Sequence, residues 1–479
     1  MTTDTTPAPG PPARKLPTVG LRRGAGGTLA FRRDQLGFLA DGLAHHGPVF
    51  RFRLLGLPVV LINHPDHVRH VLVDRADRYD KDVILFRLVG AALRNGLIAT
   101  PDMDLWRRQR RLMAPHFTPR TVGSFVRAIT DETEGTLARW ERTGRIGEVL
   151  DVTAELGRLA LRIVARSLFG ADLSEVDARF ERAFGEANDI FSAIFRFPFP
   201  PLKVPTPRHR RLRRAIAELD GIVTGVVDKR RREATGPGDR TDLLALLLNA
   251  VDEDDGTGMG IEQLCHEVLN ICAGAYETTA CTFSWLFHTL ARRPDIEERL
   301  HAEVDEVLAG RTPTSQDLPR LTYTRMVVEE TLRVYSPAYM FMRHARADDE
   351  VGGYRVPAGT SILISSYFLH RDPEFWEDPE RFDPDRFRPE AAARRPKLSF
   401  LPFGAGQRVC IGKHFAMTEL VLAVATIARA HRFALSDGIP EAVPQALITL
   451  HPRGGVHLRL ERRPTPPTVE PRARGGQAP

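Results

Sequence analysis

Cysteine is scarce in this chain: four in 479 residues, at positions 265, 272, 281 and 410. No Cys-x-x-Cys pair and no Cys/His zinc spacing occurs among them. That excludes a disulfide scaffold, a zinc finger and a fused iron–sulfur module. Cys265 and Cys272 sit in one helical stretch, roughly 10 Å apart along its axis, too far to bridge. This usage is that of a reducing cytoplasm. Long apolar runs are missing too. No window approaches ~18 apolar residues, so no membrane span is expected, and residues 1–17 lack the apolar centre of a signal peptide. A dominant charge is absent: 67 basic against 61 acidic residues leaves +6, too little to argue for nucleic acid. Lysine is rare, with only Lys15, Lys81, Lys203, Lys229, Lys397 and Lys413 against a large arginine majority. Glycines 404, 406 and 412 do not spell G-x-G-x-x-G and no strand–helix–strand unit follows them, which sets a dinucleotide site aside.

What is present is mostly helical pattern. Residues 48–63 read as two strands around Gly56, and Pro65–Val73 as a short helix with proline in its first turn. Helical periodicity continues over Leu105–Phe117, 122–142, 151–169, 175–195 and 206–232, with loop-like breaks at 233–241 and 252–260. Residues 261–291 form one long helix, apolar almost all round and therefore central. Two more helices follow at 294–308 and 324–335. Residues 351–366 look like strands, 371–402 lack a period, 420–430 is an apolar helix, and 445–460 reads as a hairpin turning near 452–455. The fold class is mainly α with small β-sheets. Pro- and Gly-rich residues 1–20 and the tail 462–479 are expected to be disordered arms. At ~150 residues per domain the length suggests three domains.

One segment carries chemistry. Residues 403–416 place three glycines and Cys410 between an apolar strand end and a helix start. Glycine lets the backbone turn sharply and approach a flat ligand. A helix N-terminus and the nearby Arg408 stabilise a thiolate. Phe403, Gly406, Arg408, Cys410 and Gly412 fill the pattern F-x-x-G-x-R-x-C-x-G, which closely resembles the haem-binding loop of the cytochrome P450 family. Glu330-Thr331-Leu332-Arg333 is similar to the family's E-x-x-R helix motif, and 382–387 (FDPDRF) to its meander, which makes Arg386 a third member of a structural trio with Glu330 and Arg333. Trp106 and Arg110 match W-x-x-x-R.

The resemblance implies one catalytic unit over residues 21–461 with a minor β-rich lobe, in place of three domains. It implies haem b (iron protoporphyrin IX) lying between the long helix and the Cys410 loop. Cys410 is then the iron ligand, and Trp106, Arg110, Arg343 and Arg408 are partners of the haem propionates, since the arginine fork suits carboxylates. On the long helix, 273–279 (AGAYETT) resembles the oxygen-activating stretch, with Glu277 and Thr278 as an acid–alcohol pair relaying protons. This chain has Ala275 where the family usually has glycine, followed by Tyr276, whose ring points away from the haem or lends its hydroxyl to the relay.

By the same resemblance the substrate pocket draws on 84–97, 190–199, 337–341 and 446–449, giving Phe86, Phe191, Phe195, Gly274, Tyr276, Tyr339, Met340 and Leu447. These residues suit a bulky, largely apolar small molecule such as a specialised metabolite. The implied activity is that of a cytoplasmic, monomeric haem-thiolate monooxygenase using O2, with electrons from NAD(P)H through a separate ferredoxin reductase and ferredoxin. Oxidative coupling, C–N bond formation and desaturation stay open, as does a non-catalytic haem-binding role. Arg107, Arg108, Arg111, Arg394, Arg395, Lys397 and Lys413 are expected on the face that meets the ferredoxin.

Overall fold

The computed structural model describes residues 14–19, 24–170, 177–196, 204–233, 242–254 and 256–463. Its axis is the central helix Ile261–Arg292, roughly 48 Å long at 1.5 Å per residue. Twenty of its residues are buried, which explains why its sequence shows no polar stripe. Helices Val152–Phe169, Pro207–Glu233 and Thr322–Val334 pack along it. Trp285 stacks on Tyr335 with ring centroids 4.2 Å apart, joining the central helix to the end of Thr322–Val334. The largest buried apolar cluster draws on residues from Leu112 to Leu460, so distant sequence meets in one core.

Helix ends obey local chemistry. Asp102 caps Met103–Met113 by accepting from the Asp104 and Leu105 amides, and Asp151 caps Val152–Phe169, which stops at left-handed Gly170. Pro65 starts a helix as expected, but only to Arg69; His70–Asp74 then forms a π-turn, the kind of widened turn that often marks a functional site. Helices Gly24–Arg33, Gln35–His46, Ile84–Leu93 and Leu243–Asn249 escape the sequence reading because each is short or glycine-interrupted.

The main sheet orders its strands Val49–Leu54, Leu57–Ile62, Ser361–Ile364, Phe341–Ala345, Tyr79–Asp80. Leu57–Ile62 runs parallel to Ser361–Ile364, Val60 facing Ile362. The expected terminal hairpin is corrected. Pro444–Ala446 pairs with Leu450–Pro452, while His457–Arg462 pairs with His431–Ala434 and Val149–Asp151. The terminal arms are corrected at their inner ends. Arg14 donates to the Gly353 carbonyl and Val19 to that of Arg51, and Arg463 pairs with Asp305. Residues 1–13, 20–23, 234–241 and 464–479 lie outside the described residues. No described helix is long and apolar enough to cross a membrane.

Candidate functional site

The cysteine loop is shaped by its glycines. Gly404 and Gly406 have φ of +70° and +69°, a region L-residues avoid. The Cys410 amide donates back to the Phe403 carbonyl at 2.9 Å, closing the loop, and helix Lys413–Ala430 begins immediately after Gly412. The Cys410 thiol opens onto a cavity of about 370 Å³, within the roughly 300–1,000 Å³ of an ordinary small-molecule pocket. Burial raises the thiol pKa overall, against the smaller opposing pull of the Gly412 amide, Arg110, Lys413 and Lys81.

Gly406 does not line this cavity. A Cβ there would sit 1.7 Å from the Leu72 carbonyl oxygen in the π-turn, so its role is to let two backbones touch. Gly406→Ala is expected to destabilise the fold by at least about 1–3 kcal/mol from the positive φ, with the collision adding to it. Thermal melting and haem retention measure this.

Four cations gather on one wall: Lys81, Arg110, Arg343 and Arg408. Lys81 donates to the Ile98 carbonyl at 3.0 Å, Arg343 to that of Met342 at 2.8 Å, and Arg408 to the Met103 sulfur at 3.0 Å. The Arg408 guanidinium lies 4.5 Å over the buried Trp106 ring. Burial pushes Arg343 and Arg408 down to about 10, and pushes Lys81 well below the usual lysine range. Among the described residues none of the four has a carboxylate within ion-pair distance. Buried cations without counter-charge are costly, so the wall fits a ligand that brings its own carboxylates. The two propionates of haem meet that need, the thiol faces the same space, and Phe403 and Gly412 border it. Lys81 went unassigned in the sequence, although its rarity as a lysine was a usable signal.

Behind the loop, Glu330 and Arg333 are 0% exposed and joined through both carboxylate oxygens, at 2.7 and 2.8 Å. Arg333 also donates to the carbonyls of His370, Pro379 and Arg381. Arg386 lies 3.6 Å from Glu330 and donates to the carbonyls of Glu377 and Asp378. Burial pushes His370 down to about 3, so it is neutral. Its Nδ1 donates to the Arg333 carbonyl at 3.1 Å and its Nε2 accepts from the Leu401 amide at 2.9 Å. His370, unassigned from sequence, thus ties the trio to Leu401 in the stretch that leads into the cysteine loop, which is irregular here and not the strand end that the sequence suggested.

On the opposite wall the central helix presents Gly274, Ala275, Thr278, Thr279 and Thr282. It stays α-helical through Ala275. The Thr278 hydroxyl donates to the Gly274 carbonyl at 2.5 Å. Glu277 requires correction, since it does not line the cavity. One residue step turns a helical side chain by about 100°. Its Oε1 accepts from Thr449 at 2.6 Å, and from His451 and Asn188 at 2.9 Å each, so the acid–alcohol pair is not assembled at the cavity. Tyr276 is corrected as a pocket residue, since it does not line the cavity; its ring points away, the first of the two expected orientations, and packs edge-on against Phe184 and Phe180.

Of the expected pocket residues, Phe86, Met340 and Gly274 line the cavity, with Leu97, Ile98, Ile271 and Phe341 beside them. Tyr339 does not. It is 1% exposed, and its hydroxyl lies 2.6 Å from the Gln35 side chain and 2.8 Å from the Leu447 carbonyl, so Tyr339 and Leu447 hold each other outside the wall. Phe191 is packed in a separate cluster with Ala92, Leu212 and Ile216. Phe195 belongs to helix Asp177–Arg196, but its side chain lies outside the described residues. The basic face is also revised. Arg111 pairs with Asp252 and Asp254, Arg108 with Asp252, Arg107 with Asp104, and Arg395 lies 4.2 Å over Trp376.

Three comparisons relate the chain to known proteins. The family profile described as Cytochrome P450 matches residues 26–459. The cyclooctat-9-en-7-ol 5-monooxygenase of Streptomyces melanosporofaciens is 39% identical, over 84% of this chain and 86% of that protein. The pentalenene oxygenase of Streptomyces avermitilis is 36% identical, over 90% and 94%. The crystal structure of the cytochrome P450DA heme domain superposes with a TM-score of 0.85 at 24% identity, covering 95% of this chain and 99% of that one.

Proposed function

The chain belongs to the cytochrome P450 family and is a P450 monooxygenase, and on that footing we propose that it oxygenates a C–H or C=C bond of a bulky, largely apolar terpenoid. The observation that carries the substrate class is the apolar share of the cavity lining, built from Phe86, Leu97, Ile98, Ile271, Ala275, Met340 and Phe341. That wall offers an apolar ligand shape and dispersion, and few polar contacts. The two Streptomyces relatives carry names of terpenoid oxidation, which supports the same class.

Haem held by a cysteinate supplies O2 activation and oxygen insertion. Cys410 would hold its iron, and Lys81, Arg110, Arg343 and Arg408 its propionates. Thr278 is the hydroxyl that passes protons into the cavity, accepting on its lone pairs while its own hydrogen rests on Gly274. Apolar side chains keep bulk water from the rest of the wall. Electrons come from NAD(P)H through a separate reductase and ferredoxin, which docks where Arg394, Lys397 and Lys413 are exposed. The enzyme works as a cytoplasmic monomer.

Titration of the holoenzyme with pentalenene and a panel of terpene hydrocarbons, read by spectral shift and followed by product mass, tests the substrate class. A gain of one oxygen supports the proposal; loss of two hydrogens assigns coupling or desaturation; no shift with any terpene overturns the class. Thr278→Ala is expected to lower product per electron about a hundredfold, the lower end of what one positioned proton-transfer group contributes. Hydrogen peroxide per NADPH measures the loss, and unchanged coupling would remove Thr278 from the relay.

A further inference from the structure

Residues 94–100 join helix Ile84–Leu93 to helix Met103–Met113 with neither helix nor strand of their own, and Leu97 and Ile98 among them line the cavity. The backbone groups of such a stretch must find partners somewhere, and here the central helix supplies several of them by side chains. Asn270 Nδ2 donates to the Leu93 carbonyl at 2.7 Å, and its Oδ1 accepts from the Ile98 amide at 3.1 Å. Glu267 Oε2 accepts from the Leu97 amide at 3.1 Å. Gln263 Nε2 donates to the Asn95 carbonyl at 3.1 Å and to Glu267 Oε1 at 2.9 Å. Positions 263, 267 and 270 are spaced i, i+4, i+7, one face of a helix, and that face continues to Gly274 and Thr278.

The contact is close on both sides. A Cβ on Gly96 would sit 2.1 Å from Asn270 Nδ2, so the loop backbone lies directly against the amide group. Arg94 is held at φ +56°, a conformation that non-glycine residues keep only where the surroundings impose it, and its guanidinium pairs with Asp220 of helix Pro207–Glu233 at 2.5 Å. On the cavity side Lys81 donates to the Ile98 carbonyl. The Ile98 side chain reaches the central helix, since a Cβ on Gly274 would lie 3.3 Å from its Cδ1. Gly274 is also the residue whose carbonyl takes the Thr278 hydroxyl. Glu267 and Asn270 border the cavity yet are 0% and 2% exposed, so what they present to it is the loop.

We propose that Gln263, Glu267 and Asn270 are positioning residues for a bound substrate: through residues 93–98 they fix Leu97 and Ile98 beside Gly274 and Thr278, and so set the fit of any molecule that extends from the iron to the apolar lining. A loop already fixed needs no ordering when a ligand packs on it, whereas a loosened one does. The inference rests on haem occupying the Cys410 side of the cavity and on no substrate class.

The test uses holoenzyme and two iron-binding probes, imidazole and 4-phenylimidazole, each titrated by the shift of the haem absorbance. Imidazole is small enough to bind without the loop, while the phenyl ring brings the second probe to the apolar lining. Asn270→Ala is expected to weaken 4-phenylimidazole about tenfold, the scale of the hydrogen bonds lost, with imidazole affinity unchanged. Gly96→Ala should do the same from the other side, by pushing the Asn270 amide away. Combined with N270A, G96A should add nothing further, because its collision partner is gone. Glu267→Gln keeps an acceptor for the Leu97 amide and should stay nearer the wild-type ratio of affinities than Glu267→Ala. A merely structural role would lower the melting temperature and leave that ratio alone, so a wild-type ratio in both N270A and G96A overturns the proposal. If N270A does not retain haem, hydrogen exchange of the wild-type holoenzyme decides. Slow exchange at the Leu97 and Ile98 amides supports the clamp, and exchange as fast as that of unstructured chain overturns it.

Discussion

Cys410→Ala is expected to abolish the red-shifted carbon monoxide band of the reduced haem. The expectation follows from position. Cys410 is the one cysteine that opens onto the cavity; Cys272 and Cys281 are buried within the central helix, and Cys265 is partly covered there. The loop around it stays closed by backbone bonds, Cys410 to Phe403 and Val409 to Gly406, which alanine retains. The four cations would still hold a haem by its carboxylates. C410A should therefore bind haem and lack the thiolate signature, so the defect is electronic. A surviving red-shifted band would remove Cys410 as the ligand. Complete loss of haem would show that the sulfur bond outweighs the cation wall.

Glu330→Ala is expected to lose the holo-fold. Removing that carboxylate strands Arg333 at 0% exposure. Breaking one partner from a buried pair costs about 3–5 kcal/mol, against a total stability of roughly 5–15 kcal/mol. The damage should spread along the path already described. Arg333 fixes the His370 carbonyl, His370 receives the Leu401 amide, and Leu401 leads into Phe403. Asp383 would lose its acceptor on Glu330 as well. Thermal melting with the haem absorbance as a second probe reads both effects. Glu330→Gln keeps the shape and loses the charge, and should fall between wild type and E330A. A stable, haem-replete E330A would show the trio to be dispensable.

Much of this was legible in one dimension because local chemistry is written locally. The glycine and cysteine spacing of 403–412, the i, i+3 pair Glu330/Arg333 and the apolar length of 261–291 are short-range signals, and each lies where the loop, the buried pair and the central helix stand. The long-range partners were not legible. Nothing near Glu277 in sequence announces Thr449 or His451, some 170 residues on, yet those donors turn its carboxylate from the cavity. Nothing near Tyr339 announces Gln35. Aromatic and apolar pocket candidates were hardest, since a phenylalanine reads alike whether it faces a ligand or, as Phe191 does, another helix.

The sequence determined the class of chemistry through a family resemblance, carried by one cysteine in a glycine-built loop at a helix start and by the Glu330/Arg333 motif. Packing settled which groups share the cavity. A side chain's neighbours depend on how helices from distant sequence cross, and that is a property of the whole core. Lys81 joins three arginines, Gly406 meets Leu72, Glu277 leaves the cavity and Asn270 holds the loop at 93–98, each because an element far away in the chain fills, or does not fill, the adjoining space.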